Sequence, residues 1–398
     1  MLRVVLSLLA CCLVASTKEA GSIRKHNLPP EEAPTVTINL DLPPKERFAP
    51  LAKANPKAVE GMIASCPAMR DLAGHHDADQ WVKHHNIPEE YVLELQGIVE
   101  ALPDMPGLTL DCLILLNLLY DVRVGLPGKS MCTGVLAAMR DGTVVHGRTS
   151  DFSNPDGVLW PGFYKATFTR GGKPLYVSAL IMPVLGVHTG MRFDGYTVEQ
   201  NTRNVGISGP IDLAAAERGG MSAFIGARYI LENVPDFSTA VNTFATQKWQ
   251  SAQFWILAGK DAYDGAVITV SAVPEHGKAP LANIEILDRN DRWYLVQTNS
   301  DPWGGEPLDA VLMDYASNSQ GRFDAAVHAL ATTPQSTVSQ EWVTNLMLTP
   351  PIQNDETIYT VEAVPAKNVF RIMLPPLYHK YTDHPSLSLL SRRRSLKV

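Results

Sequence analysis

Between Ser130 and Phe152 the chain reads SMCTGVLAAMRDGTVVHGRTSDF, two strand-like runs on either side of Asp141-Gly142. An Asp-Gly pair in that setting is a strong two-residue turn signal, because a type I′ turn needs positive φ at both central positions. The stretch is therefore expected to fold as an antiparallel hairpin. A turn centred on the pair sets Cys132 opposite Asp151, with Cβ atoms about 4.5 to 5.5 Å apart, close enough for the carboxylate to meet the thiol or the amine of residue 132. Arg148 then pairs with Val135 and points to the other face, so it reaches the cysteine only if the strand bulges or ends near Gly147.

The hairpin stands at a change of character along the chain. Ahead of it, TVTINLDL (Thr35 to Leu42) alternates as a strand, and the sequence from about Pro44 to Val122 has helical periodicity. The Leu108 to Tyr120 run reads as a core helix or as a stretch that touches lipid, and it is too short to span a bilayer. VGLPGKSM breaks the pattern as a linker does. Beyond it come the strand patterns GVLAAM, TVVHGR, YKATFTR, LYVSALIM, YTVEQN and VGISG, then helices at Met221 to Glu232 and Thr239 to Gln247. A second strand set follows in QFWILAG, AVITVSAV, ANIEIL and RWYLVQT, then helices near Gly321 to Ala331 and Ser336 to Met347, and closing strands TIYTVEAV and NVFRIML. This order predicts an α+β chain whose sheets are covered by helices.

The 398 residues, 45% of them hydrophobic, are ample for a core, and the net charge of -7 with no basic stripe before the C-terminal SRRRSLKV argues against nucleic acid. That tail reads as a solvated terminus. The opening MLRVVLSLLACCLVASTKEA has Arg3, an apolar run and then small residues, the pattern of a cleaved signal peptide over residues 1–20. A lysosomal or secreted protein is expected. Cleavage leaves Cys66, Cys112 and Cys132, an odd number in an oxidising compartment, so at least one thiol stays free or pairs between chains. Cys112 reads as a small buried hydrophobe and Cys66 as a structural residue of open role; only Cys132 has charged neighbours. GHHDADQWVKHH fits no metal-ligand spacing and reads as a solvated helix face. Nucleotide-binding and serine-hydrolase motifs are absent.

Cysteine attacks as thiolate, and a nearby guanidinium lowers the cost of ionising it. A base is also required, and no histidine stands in a convincing partner position. An α-amine of pKa about 7.7 to 8.0 serves if the nucleophile is itself residue one of a mature chain. That predicts scission between Met131 and Cys132 through an acyl shift and a thioester, with Asp151 holding the liberated ammonium. On residue types alone a plain structural hairpin stands beside this reading.

CTGVLAAMRDGTVVHGRTSDF and DRWYLVQTNSDPW (Asp291 to Trp303) resemble the acid ceramidase and N-acylethanolamine acid amidase family, N-terminal-nucleophile cysteine hydrolases of the choloylglycine hydrolase type. Weaker similarity covers INLDLPPKERF, NLLYDVR, TGMRFDGYTVEQNTRNVG and the helical region after residue 320. The resemblance implies an αββα sandwich, with a helical α-subunit (21–131) that stays bound as a heterodimer to the β-subunit (132–398) after self-cleavage. It makes Cys132 the nucleophile, Arg148 and Asp151 its activating and amine-holding partners, and Asn299 an oxyanion donor, where Asn299 alone reads as a turn residue. Thr202, Arg203 and Trp303 become candidate pocket residues, Asp301 a local brace. The implied substrate is a fatty-acyl amide of N-acylethanolamine or ceramide type, met at a membrane or micelle surface, with no metal or organic cofactor. The sequence departs from the family where a Glu is replaced by Thr202, where an Arg is replaced by Val270, and where an Asp-Asp-Arg-Arg run is missing, so that no arginine follows the Asn299 motif until Arg322. It also lacks an Asn-x-Ser/Thr sequon. Two other readings therefore stay open, a hydrolase of another linear amide such as a bile-acid conjugate and a lipid-binding paralogue of weakened catalysis.

Overall fold

Neighbouring side chains of Ser130–Ala138 enter different cores. Val135 and Ala137 pack with Ala326, Leu330 and Val343, whereas Leu136 and Ala138 pack with Phe254, Ile256 and Val267. A strand buried on both faces needs a layer above and a layer below, which is why the run is almost continuously apolar. The computed structural model describes residues 31–375 apart from 74, 124–129, 153, 155–156, 206–208, 275–281 and 303–317. The expected signal peptide, most of the linker, Trp303 and the basic tail lie outside the described residues.

The strands are β1 (Glu31–Glu32), β2 (Thr35–Asn39), β3 (Ser130–Ala138), β4 (Val144–Phe152), β5 (Phe163–Arg170), β6 (Lys173–Ile181) and β7 (Thr189–Arg192). They continue with β8 (Tyr196–Thr202), β9 (Gln253–Gly259), β10 (Gly265–Val270), β11 (Ala282–Ile286), β12 (Tyr294–Gln297), β13 (Thr357–Val364) and β14 (Val369–Leu374). One sheet runs β1-β14-β13-β4-β3-β12 and the other β11-β10-β9-β8-β7-β6-β5-β2. All pairings are antiparallel except β2 with β5. The helices before the hairpin are α1 (Pro44–Arg47), α2 (Ala49–Ala54), α3 (Pro56–Ile63), α4 (Cys66–Ala73), α5 (His75–Lys83), α6 (Glu89–Ala101), α7 (Leu110–Asn117) and α8 (Leu119–Arg123). With α9 (Gly209–Glu217), α10 (Ala223–Asn233) and α11 (Phe237–Thr246) they cover the larger sheet, while α12 (Ser319–Thr332) and α13 (Gln340–Met347) cover the smaller. The two sheets face each other, so the order of layers is α, β, β, α. Expected strand VGISG is not seen at Val205, and its other described residue, Gly209, opens α9.

The hairpin turn differs from the expected one. Gly142 has φ 87°, but Asp141 is not in the left-handed region, and its carboxylate instead accepts the Thr143 N–H at 2.9 Å. Gly142 N–H donates to Met139 O and Met139 N–H to Thr143 O, both at 2.9 Å, giving a three-residue loop with a bulge at glycine. The register therefore moves by one: Cys132 pairs with Ser150, Gly134 with Arg148, and Met131 with Asp151. Strict alternation now puts Arg148 on the face of Cys132 and Asp151 on the opposite one, without a bulge at Gly147.

Two devices fix the helical first third. Thr109 caps α7 by accepting the Cys112 N–H at 3.1 Å, and Cys112 is disulfide-bonded to Cys66 on α4 with Cα atoms 5.7 Å apart. Cys112 is thus half of a staple and not merely a buried hydrophobe; Cys132 is the free thiol among the described cysteines. Glu94 of α6 meets Arg228 of α10 at 2.6 and 2.8 Å and Arg47 of α1 at 2.9 Å, and Glu232 meets Arg228 at 2.9 Å. The Arg228 guanidinium also lies 4.0 Å from the centre of the Tyr91 ring. Each buried charge in this chain of pairs has a partner, which is the condition for burying it at all.

Asp121 of α8 sits fully buried at the start of α10, accepting the Ala223 N–H and the Ser251 hydroxyl. Burial pushes its carboxyl up to about 6, against the hydrogen bonds that favour the charged form. A group whose native pKa is raised binds more protons folded than unfolded, so its contribution is full below about pH 4 and is lost as pH rises through 6. Asp121→Asn, which cannot titrate, is therefore expected to be relatively more stable than the parent at pH 7 than at pH 4, by about 2 to 3 kcal/mol. Paired urea titrations at the two pH values measure it; a constant difference rejects it.

Candidate active site

Cys132 lies near the head of β3 with its thiol between the sheets, 1% exposed, and Arg148 Nη2 reaches its sulfur at 3.2 Å. The guanidinium is held by the larger sheet. It donates to His188 O at 3.0 Å, to the Thr189 hydroxyl, to His188 Nε2 at 2.8 Å and to Gln200 O at 3.4 Å, and it lies 5.4 Å from the Tyr359 ring centre. Burial pushes the thiol above its ordinary value, Arg148 pulls it back, and the carboxylates of Glu199 and Asp151 push it up again. In the uncut chain residue 132 is accordingly a thiol across the acid range. His188 is pushed well below the ordinary histidine value by burial and by Arg148, so its ring is a neutral acceptor.

The backbone of Cys132 is held from the opposite side. Its N–H donates to Asn299 Oδ1 at 3.0 Å, and that oxygen also accepts Arg322 Nη2 at 2.8 Å. Two donors on one atom fix which way the amide faces. Asn299 Nδ2 donates to the Thr202 carbonyl at 2.9 Å, using one of its two hydrogens. Arg322, from α12, further donates to the Cys132 carbonyl and to Thr133 Oγ1, the latter at 2.7 Å. The arginine expected to be missing beside Asn299 is thus supplied from the next helix. No local pattern marked it, since it lies 23 residues beyond Asn299 and is brought in by the packing of α12.

Asp151 does not oppose Cys132. Its carboxylate accepts the Thr357 hydroxyl at 2.7 Å and Asn354 Nδ2 at 3.1 Å on the other face, and burial raises it to about 6 against the pull of Arg322. Thr202 enters through its backbone carbonyl, while its hydroxyl neighbours that of Tyr120. Arg203 is not open to a ligand: it grips Asp301 through two bonds of 2.7 and 2.6 Å and also meets Ser271 Oγ at 3.2 Å. Asp301 so braces the wall that Asn299 stands on.

Beside Ser150, the strand partner of Cys132, a cavity of about 60 Å³ opens between the sheets. Its floor is His188 and Tyr359, and its walls include Met62, Leu119, Phe152, Leu159, Ile181 and Phe224. That volume is roughly two water molecules.

A family model described as the beta subunit of N-acylethanolamine-hydrolyzing acid amidase matches residues 31–73, ahead of Cys132. Acid ceramidase of Pan troglodytes is 27% identical over 94% of this chain and 96% of its own length. N-acylethanolamine-hydrolyzing acid amidase of Cavia porcellus is 26% identical over 85% of this chain and 90% of its own. Among solved structures, the Caenorhabditis elegans N-acylethanolamine-hydrolyzing acid amidase ortholog superposes with a TM-score of 0.50 at 24% identity, covering 63% of this chain and 96% of that one, which establishes a shared fold. Two curated enzymes matched over most of their length and one shared fold agree in what the chain is similar to, the acid ceramidase and N-acylethanolamine-hydrolyzing acid amidase family.

Proposed function

We propose that this chain is a self-processing cysteine amidohydrolase that cleaves fatty-acyl amides to a fatty acid and an amine. The observation that carries the reading is the double hold on Cys132, with Arg148 on its sulfur and Asn299 Oδ1 on its nitrogen, while its strand partner Ser150 lines an apolar cavity. In processing, Sγ of Cys132 attacks the Met131 carbonyl carbon, the Cys132 nitrogen takes a proton and leaves, and water hydrolyses the resulting thioester. The new ammonium then stands where the 131–132 peptide bond was, across from the Ser150–Asp151 step of β4. Departure of Met131 uncovers Asp151 to receive it.

In turnover the freed α-amine accepts the thiol proton, and the thiolate attacks the substrate carbonyl. The second Nδ2 hydrogen of Asn299, with a backbone N–H, holds the oxyanion. The amine product leaves with the proton, and water releases the fatty acid. The subunits, residues 21–131 and 132–398, stay together as a heterodimer. The apolar start of the chain and the acid character named in its relatives support a lumenal, acidic compartment, lysosomal or secreted, with substrate taken from a membrane or micelle surface.

The test is incubation of purified chain at pH 4.5 and at pH 7.5, followed by a denaturing gel and N-terminal sequencing. Two fragments are expected at acid pH, the larger beginning at Cys132. Assay of the cut protein on ceramides, N-acylethanolamines and bile-acid conjugates then names the substrate. A chain that stays whole and hydrolyses none of them is a lipid-binding paralogue, and the enzyme reading falls.

A further inference from the structure

Beneath the Cys132–Arg148 pair the larger sheet places a second acid that the scheme above does not use. Glu199 of β8 is fully buried, and its Oε2 accepts His146 Nε2 at 2.8 Å while His146 Nδ1 lies 2.7 Å from Thr197 Oγ1. Donation to a carboxylate requires the proton on Nε2, so His146 and Thr197 fix the direction in which Glu199 faces. Its other oxygen, Oε1, has no hydrogen-bond partner among the described residues, and neither has Arg148 Nε; the two atoms are 3.9 Å apart. Two buried atoms of opposite charge, each left unsatisfied and each turned toward the other, are costly unless they act on one another.

Space for this arrangement is made by one glycine. Gly134 pairs with Arg148, and a Cβ there would lie 2.8 Å from Glu199 Oε2 and 2.9 Å from Oε1. The carboxylate thus occupies the place where the side chain two residues after Cys132 would otherwise project.

We infer that Glu199, set by His146 and admitted by Gly134, is a positioning residue that divides the charge of Arg148 between itself and the Cys132 sulfur, and so sets the pH at which the nucleophile ionises. The inference rests on the nucleophile reading above. An Arg148 left wholly to the sulfur would ease its ionisation further, and a thiol of lower pKa is the weaker nucleophile once ionised. Sharing the guanidinium keeps the proton on sulfur until the α-amine withdraws it. The titratable and charged groups around the pair are Cys132 from β3, His146 from β4, His188 from the segment before β7 and Tyr359 from β13, with Asp151 and Arg322 on the far face of the β3–β4 ladder. Beside these, Glu199 is the one carboxylic acid among the described residues on the Arg148 side of the ladder.

The experiment compares acid-processed parent, Glu199→Gln and Gly134→Ala for the pH dependence of iodoacetamide alkylation at Cys132 and of kcat/KM. Glutamine keeps the size of Glu199 and an acceptor for His146 while removing the charge; alanine crowds the carboxylate away and serves if the first variant does not fold. In both variants the midpoint is expected to fall by about half a pH unit or more, roughly a threefold gain in alkylation below the parent midpoint, with KM little changed. A merely structural role moves thermal stability and leaves the midpoint in place. Parent protein that is cut and titrates, with variants of identical or raised midpoint, overturns this inference alone. Parent protein that is never cut overturns the amidase reading and this inference together.

Discussion

A chain carrying Cys132→Ala is expected to remain a single band after acid incubation and to show no amidase activity. The change removes one sulfur atom from a site that is 1% exposed, and the hydrogen bonds to the backbone of residue 132 are untouched by it. A loss that small in a packed interior costs on the order of 1 kcal/mol, against a total stability of about 5 to 15 kcal/mol. The variant should therefore fold, and its near-ultraviolet circular dichroism should match that of uncut parent. Both steps of the chemistry need the same sulfur, so both should vanish together. Processing of Cys132→Ala at the parent rate would show that another protease cuts the linker. Retained hydrolysis would show that the nucleophile is elsewhere.

The second large effect is expected at Asn299→Asp. The aspartate keeps an oxygen for the Cys132 N–H and gains a charge pairing with Arg322, which already lies 2.8 Å from Oδ1. What it loses is Nδ2, and with it the bond to Thr202 O and the side-chain donor assigned to the oxyanion. Deleting one such donor costs about 10² to 10³ in kcat. Stability should fall by about 1 to 3 kcal/mol, because a carboxylate oxygen then faces the Thr202 carbonyl, two buried acceptors with no hydrogen between them, and the pairing with Arg322 offsets this only in part. Single-turnover rates on a reporter amide separate this from weaker binding: kcat should fall by that factor with KM within a few-fold of the parent. An unchanged kcat would remove Asn299 from the oxyanion and leave it only the role of holding the Cys132 nitrogen.

How much of this was legible in the sequence depended on how local each cause was. Alternation and apolar periodicity suffice for QFWILAG and TIYTVEAV, whose observed bounds, Gln253–Gly259 and Thr357–Val364, are those of the pattern itself. The hairpin was legible but its register was not. That choice turned on whether Asp141 would take positive φ or bond its own neighbour Thr143, a preference worth less than the sum of the strand contacts around it. One step of register reversed the faces of Arg148 and Asp151, so the guanidinium thought to point away is the one that touches sulfur. The Cys66–Cys112 bridge joins residues 46 apart whose nearness depends on how α4 and α7 pack. Arg322, His188 and Glu199 belong to other elements from the hairpin they serve. Nothing in their own neighbourhoods distinguishes them from helix-surface or strand residues until the two sheets and α12 are stacked.

The disulfide has a consequence for the life of the cut protein. Cys66 and Cys112 both precede residue 132, so among the described residues no covalent bond would span the two products of scission. What remains across the cut is noncovalent: the ladders of β1 with β14 and β2 with β5, the Glu94 carboxylate clasped by Arg228, and the apolar seam between the early helices and the larger sheet. Breaking such a buried pair by removing one partner costs about 3 to 5 kcal/mol. Scission at Met131/Cys132 would therefore leave a reversible complex whose integrity depends on its own concentration. Dilution, rather than any reductant, is what should dismantle it.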